Sequence, residues 1–464
     1  MPAFILLLCT FGKINAQDST LSLSPAEVLK LVRELHPVAR QAAINVQKSQ
    51  ADILISRGAF DPFASVATGA KTFDGTDYYN YMSPKINIPT WYGIEVYSGL
   101  ESLTGKRLDP TETVGQTNYI GISVPLLKDL IIDKRRGFLQ QAKIFKNMAI
   151  ADQRTVVNNL LMDAMDAYWQ WVKAYVVYGV VKQLVLVNEK RFNFVKRTFA
   201  NGERAAIDTI EALAQLQAFQ FEQNNDRLIL QNATLKLSTY LWTQNGKPYD
   251  LPLRVQPYSR WEEEGDGYFS SSSLQDLETK AIQSHPELQA YQLKIDVLGI
   301  DKKLKFQEML PKLDFTYNML GKGYDVLKTT TKAPLFENNY LYGFKFEMPL
   351  RLSKGRGEYK KSQLKIEETK LAQSQKALEI LVKIRSYFNE LQTLQNQIAL
   401  QINNLSNYQL LVKAEEVKLQ NGESSLFLIN SRENKALEAF EKLIELKTKF
   451  IKTKFALLWS AGFP

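Results

Sequence analysis

Apolar residues recur at two spacings in this chain, and the two spacings alternate along it. After Pro349, the residues Leu378, Leu381, Ile384, Phe388, Leu391, Leu394, Ile398, Ile402 and Leu405 form a stripe of eight steps over 27 residues. That mean spacing lies close to the coiled-coil value of about 3.5 and predicts a narrower seam than a globular helix carries. Ahead of it, residues 312–320 and 339–348 place apolar and polar side chains in alternation and are rich in Tyr and Phe, which predicts a pair of strands.

The order of segments occurs twice. Val124, Pro125 and Leu126 open a stretch without proline until Pro248, and Met348, Pro349 and Leu350 open another without proline until Pro464. Each stretch reaches an Asn-Gly-Glu turn, at Asn201, Gly202 and Glu203 and again at Asn421, Gly422 and Glu423, then continues to Leu241-Trp242 or Leu458-Trp459. A proline inside a helix costs ~3 kcal/mol, so runs of this length predict two copies of a long helical hairpin that folds back at a left-handed glycine. From Pro125 to Asn201 a continuous helix would rise roughly 110 Å.

Each copy begins with a short amphipathic helix, capped by Ser24 with Pro25 and Glu27 behind it in the first copy and starting at Ser273 to Asp276 in the second. Both short helices stop at a His-Pro pair, His36-Pro37 and His285-Pro286, and the chain restarts as helices over residues 37–57 and 286–308. A β region follows. The second copy holds one hairpin with a long link at 321–337; the first holds four segments, at 63–73, 79–88, 92–103 and 117–124, with Pro89, Thr90 and Trp91 as the turn between the middle two. The first copy thus carries an insertion of about twenty-five residues, which reads as an extra hairpin. The domain organisation is residues 1–16 as a signal peptide, 17–260 as the first repeat and 261–464 as the second.

Composition changes this picture in a few places. With 45% hydrophobic and 23% charged residues in 464, the chain is built to fold. Its net charge of +9 comes from interleaved signs with no basic block, which argues against a nucleic-acid surface. Residues 4–11 are apolar and a cut after Ala16 fits a secretory signal, although no Lys or Arg precedes the apolar run. Cys9 is the only cysteine and would leave with that signal, so no disulfide, thiol catalyst or cysteine metal site is expected. Lipidation at Cys9 fits poorly because Leu8, not a small residue, precedes it. Beyond the signal no run of eighteen apolar residues occurs, so an exported chain of this kind either stays in water or crosses a membrane as a β-barrel. His36 and His285 read as helix caps or links, Gly321-Lys322-Gly323 is too short for a phosphate loop, and no nucleophile and base pair stands out. No enzyme, cofactor or metal site is predicted.

Four strands per chain cannot close a barrel alone, but two copies make eight and three make twelve. The aromatic clusters Tyr78, Tyr79, Tyr81, Trp91, Tyr92, Tyr97 and Tyr317, Tyr324, Tyr340, Tyr342, Phe344, Phe346 suit the interfacial girdles of barrel strands, and equally the core of a soluble sheet. The duplicated order of short helix, His-Pro helix, β-hairpin, small residue with Pro-Leu, very long helix, Asn-Gly-Glu turn and returning helix resembles the TolC family of outer-membrane efflux proteins, from about Leu21 to Phe463. The resemblance implies a mainly α fold with a β-barrel part: duplicated long helical hairpins forming a periplasmic α-barrel, and β-hairpins forming a trimeric outer-membrane β-barrel of twelve strands, with the extra hairpin outside the lipid wall. It implies a homotrimer in outer-membrane lipid, the exit duct of a tripartite efflux or type I secretion system, working with a periplasmic adaptor and an inner-membrane pump.

The family resemblance also places a gate at the hairpin turns, where acidic side chains shortly after the turn glycines narrow the tunnel. Asp208 and Glu211 follow Gly202 at plus six and plus nine, whereas Leu428 and Ser431 occupy those places after Gly422. The expected periplasmic aperture comprises Arg204, Asp208, Glu211, Glu423 and Arg432, with Arg204 or Arg432 as lock partners. Adaptor contact is expected near residues 199–207 and 419–429, where Ala200, Ala205, Ala206, Ser424 and Ser425 allow close helix approach. The alternative reading is a secreted or periplasmic coiled-coil adaptor or scaffold, which would account for the helices but not for the repeated strands.

Overall fold

The computed structural model describes residues 22–106, 113–252, 254–265, 271–326, 329 and 336–463. The expected signal segment with Cys9, and part of the link at 321–337, lie outside the described residues. The chain divides into two units, one of residues 1–40, 156–281 and 381–464 and the other of 41–155 and 282–380. Each unit takes pieces of both sequence repeats.

The first repeat runs β1 (Ser22–Leu23), α1 (Pro25–Leu35), α2 (Pro37–Gly58), β2 (Phe63–Phe73), β3 (Thr76–Pro89), β4 (Glu95–Thr104), β5 (Gly115–Pro125), α3 (Lys134–Ala200) and α4 (Ala206–Ser238). After β6 (Gln256–Pro257) and a short 3-10 turn, the second runs α5 (Ser271–Ser284), α6 (Pro286–Gln307), β7 (Lys312–Lys322), β8 (Tyr340–Glu347), α7 (Ser353–Gln420) and α8 (Leu426–Ser460). Among the described residues no helix is long and apolar enough to cross a membrane.

Local chemistry explains the helix starts. Ser24 accepts from the Glu27 amide while Glu27 reaches back to the Ser24 amide at 2.8 Å, a complete capping box. His36 and His285 act alike, each Nδ1 accepting at 3.2 Å from the amide two residues on, so the His-Pro pairs do link consecutive helices. Two boundaries differ from expectation. Ser273 to Asp276 lie inside α5, which starts at Ser271; serine costs a helix interior little, so the short polar run does not mark its start. The long helix starts at Lys134 and not at Pro125, because Asp129 takes a positive φ of 68° and Asp133 supplies the cap.

The Asp133 carboxylate accepts from the Arg136 amide at 2.9 Å and from Arg136 Nε at 3.0 Å, while Arg136 Nη2 also donates to the Leu130 carbonyl at 3.1 Å. Burial alone would raise the Asp133 carboxyl, but the Arg136 amide and guanidinium bonds, with the charges of Arg136 and Arg135, hold it below its ordinary value. A depressed carboxylate stabilises the fold above its unfolded pKa, and that contribution disappears as pH falls through the folded one. Asp133→Asn is therefore expected to lower stability by about 0.5–2 kcal/mol at neutral pH, with the gap closing in acid; thermal unfolding at pH 7 and pH 3 checks both halves.

In the strand-bearing unit a single antiparallel sheet has the order β2-β3-β4-β5-β7-β8. The extra hairpin was expected to lie outside the lipid wall; within the chain, all four first-repeat strands are contiguous with the two of the second. The reason lies in the connection between β3 and β4. Thr90 donates to the Ile94 carbonyl at 2.9 Å and Gly93 turns with a φ of 84°, leaving too little chain for β4 to leave its register on β3. At the other end of β3, Asp74 and Gly75 have φ of 51° and 70°, the two positive values that a tight hairpin with the strands' own twist requires.

The helical unit is packed around large apolar side chains. Leu161, Met165, Tyr168, Trp171, Phe219 and Leu237 are fully buried, and Val28 and Val32 of α1 join the same cluster. Of the predicted seam in α7, Ile384, Phe388, Leu391 and Leu394 are buried, whereas Leu378 and Ile402 are exposed in the single chain. The returning helices end differently. α8 includes Leu458 and Trp459, but α4 stops at Ser238, and Trp242 bridges to Pro248 around a turn at Gly246.

Candidate functional site at the helical turns

The two Asn-Gly-Glu turns fold identically. Glu203 donates to the Thr198 carbonyl at 2.9 Å and Gly202 to the Phe199 carbonyl at 2.9 Å; Glu423 and Gly422 repeat the pattern onto Lys418 and Leu419 at 2.8 and 3.2 Å. Gly202 and Gly422 have φ of 75° and 77°, the left-handed geometry that glycine enters without a Cβ penalty. Asn201 and Asn421 are exposed beside them. The helices leave the turns differently. Ser425 caps α8 through the Leu428 amide, whereas Ala205 gives α4 no side-chain cap and Asp208 stands in its first turn, where an acid suits the helix dipole.

Arg204 Nη1 lies 3.5 Å from Asp208 Oδ2, a pairing between neighbours across the turn rather than between helices. Glu211 sits one helical turn beyond Asp208, and its carboxyl is pushed up by burial and then by the Asp208 charge. Glu423 is exposed and Arg432 half-buried, and Arg432 forms no ion pair among the described residues. The structure therefore brings together Arg204, Asp208 and Glu211, and leaves Glu423 and Arg432 outside that group.

The ion pair that does join helices here was not read from the sequence. Arg191 of α3 grips Glu433 of α8 with both ends of its guanidinium, at 2.7 and 2.5 Å, and Glu416 of α7 lies 3.7 Å away. Asn188 adds a contact to Glu433 at 3.5 Å. Glu433 is only 5% exposed and Arg191 13%. A signal was available: Arg191 precedes Gly202 by the same distance at which Glu433 follows Gly422, so the duplication brings opposite charges to one height above the turns. Around the turns Phe199, Ile207, Ile210, Phe427 and Leu428 are exposed, while Val195, Ala212 and Leu426 pack together beneath them.

Among the described residues no group of acidic, histidine or cysteine side chains could hold a metal ion. Two long helical hairpins, each following strands of one antiparallel sheet, make up a fold that solved outer-membrane channel structures share. Among solved structures the chain is similar to CusC, described as forming a transmembrane channel, with a TM-score of 0.67, 13% identity and coverage of 97% of this chain and 95% of that one. It is similar to the Campylobacter jejuni outer-membrane channel CmeC at 0.64, with 12% identity over 99% and 94% of the two chains. A third, the Vibrio cholerae outer-membrane protein VceC, gives 0.63 and 13% identity over 95% and 96%. No family model matches the chain, and no curated protein does.

Proposed function

We propose that this protein is an outer-membrane exit duct: a homotrimer anchored in lipid by its sheet, extended into the periplasm by its helical hairpins, and supplied by a periplasmic adaptor and an inner-membrane pump of an efflux or secretion system. The observation that carries the proposal is the distribution of side chains on the sheet. Strand pairing puts Phe344 opposite Phe315 and Tyr342 opposite Tyr317 on one face, and Lys345 opposite Asp314 on the other, as in a wall between lipid and water. The channel fold shared with CusC and CmeC supports it. Such a conduit works by its wall and its gate, and needs no reacting group.

The gate of this reading lies at the turns. Asp208 and Glu211 supply the constriction charge, and Arg204 tempers it by pairing with Asp208. The exposed apolar residues flanking the turns, Phe199, Ile207 and Phe427, offer the adaptor its contact. The test is planar-bilayer recording in a salt gradient. The double variant Asp208→Ala, Glu211→Ala should lose much of the wild-type cation preference, and unchanged conductance and selectivity would sink the gate assignment. The duct reading is tested separately by carbonate extraction of membranes: retention supports it, and release into the soluble fraction overturns it.

A further inference from the structure

The first two strands of the first repeat, β2 and β3, form a hairpin at one edge of the sheet. Its two faces are chemically unlike each other. Following the pairing across all six strands, one face collects Ala64, Val66 and Ala70 of β2, Met82, Ile86 and Ile88 of β3, and then Ile120, Ile122, Phe315, Phe344 and Phe346 further along. The opposite face collects Ser65, Gly69 and Lys71, then Ser83, Lys85 and Asn87, then Glu95, Glu101, Thr117, Asp314, Lys345 and Glu347. Every charged strand residue lies on that second face except Asp77, which comes after the register shift at Lys71/Thr72. Charge keeps to one face from β2 to β8, while Ser98, Ser102, Gln116 and Asn118 interrupt the apolar face at β4 and β5, and Phe63, Leu103, Leu320 and Leu341 lie on the charged face.

Exposure points the same way. Val66, Met82, Ile86 and Ile88 are exposed in the single chain, as are Tyr342, Phe344 and Phe346 at the other edge. On the polar face, by contrast, tyrosines lie down on glycines. Tyr97 covers Gly121 and Tyr119 covers Gly99, so closely that a Cβ on either glycine would fall 2.5 Å from the ring or hydroxyl above it. Such glycine and aromatic pairs pin register where a sheet must bend. Tyr97 also donates from its hydroxyl to Asn318 at 2.7 Å, and Lys85 stands 4.1 Å over the Tyr97 ring. The strands are also long enough to span: β2 has 11 residues and β3 has 14, against the 9–11 that a tilted membrane strand needs.

We propose that the β2–β3 hairpin is part of the membrane wall, with its Ala64, Val66, Met82, Ile86 and Ile88 face against lipid acyl chains. This rests on the duct reading and deepens it. Both sheet edges, β2 and β8, are then unpaired in lipid, where open backbone groups cost several kcal/mol each. Pairing β2 of one copy with β8 of the next removes both edges. With six strands from each of three copies, the wall has eighteen strands instead of twelve, the class of barrel that encloses a water-filled channel.

The test is spin-label accessibility in the full-length protein reconstituted in liposomes, with Cys9→Ser so that a single introduced cysteine carries the label. Labels at Val66→Cys and Ala67→Cys are compared with labels at Phe344→Cys and Lys345→Cys. The expected result is several-fold higher collision with oxygen at 66 and 344, and with a water-soluble nickel chelate at 67 and 345. Alternation at 344 and 345 with both β2 positions open to the nickel chelate overturns the proposal and leaves the duct reading standing. Absence of alternation at all four positions overturns the duct reading as well. Ala64→Cys and Ser65→Cys supply a second pair if either β2 variant fails to assemble.

Discussion

Arg191→Met is expected to destabilise the protein by about 3–5 kcal/mol, the largest single-residue effect on the helical unit outside its core. Arg191 stands between two acids: Glu433, bound by both guanidinium ends, and Glu416 at 3.7 Å. Removing the cation leaves Glu433 almost fully buried with only the weak Asn188 contact, and leaves two carboxylates repelling each other. Glu433→Gln should cost less, because Arg191 keeps Glu416 as a partner and glutamine keeps one acceptor. The double variant Arg191→Met, Glu433→Leu should regain most of the loss, since a buried pair exchanged for apolar side chains of similar volume is often neutral. Thermal unfolding followed by helical circular dichroism measures all three. If the double variant is as unstable as the single, the pair is not what holds α3 to α8 at this height.

The long helices were legible because nothing interrupts them: two proline-free runs, a seam with coiled-coil spacing and a glycine turn are all local signals. Where α3 begins was not legible, because it depends on a positive φ at Asp129 and on Asp133 accepting from Arg136, choices that no propensity encodes. The strands were legible from alternation and lie within a few residues of their expected bounds. Their order was not, because β5 pairs with β7 across nearly two hundred residues of intervening chain. The aromatic clusters show the same division. Read together they made one girdle; the pairing separates Tyr79, Tyr81 and Tyr97, on the charged face, from Tyr340, Tyr342 and Phe344, on the apolar one.

Asp208 and Glu211 were picked out by counting from Gly202, and they stand three residues apart in α4. Arg204 is taken up by its own neighbour Asp208, and the interhelical bond is made by Arg191 and Glu433, which sequence separation hides. A charged residue on a long helix carries no local mark of having a partner. Only the matching of the two repeats could have found this pair.

Asp226→Asn is expected to stabilise the protein at pH 7, by about 1–3 kcal/mol. A cavity of about 640 Å³ in the helical unit is lined by Glu222 and Asp226 of α4, Glu441 of α8 and Lys173 of α3. Asp226 is 8% exposed, and its Oδ2 has no hydrogen-bond partner. Burial pushes its carboxyl up; burial and then the Asp226 charge push up Glu222, and burial, then Glu222 and Asp226, push up Glu441. The sign is opposite to that at Asp133. Because each folded pKa lies above the unfolded one, the unfolded chain gives up its protons more readily, and stability declines as pH rises through the window between the two. Below the ordinary carboxylate range both states are protonated and the penalty vanishes. The gain from Asp226→Asn should therefore shrink as pH falls toward about 4, which a series of unfolding midpoints between pH 7 and pH 4 measures. A loss of stability at pH 7 would overturn this account and show that the carboxylate is held by a partner. With the expected result, mild acid tightens α4 against α8, while stronger acid removes the Asp133 cap at the start of α3, so the two ends of the acid range act on different helices and in opposite directions.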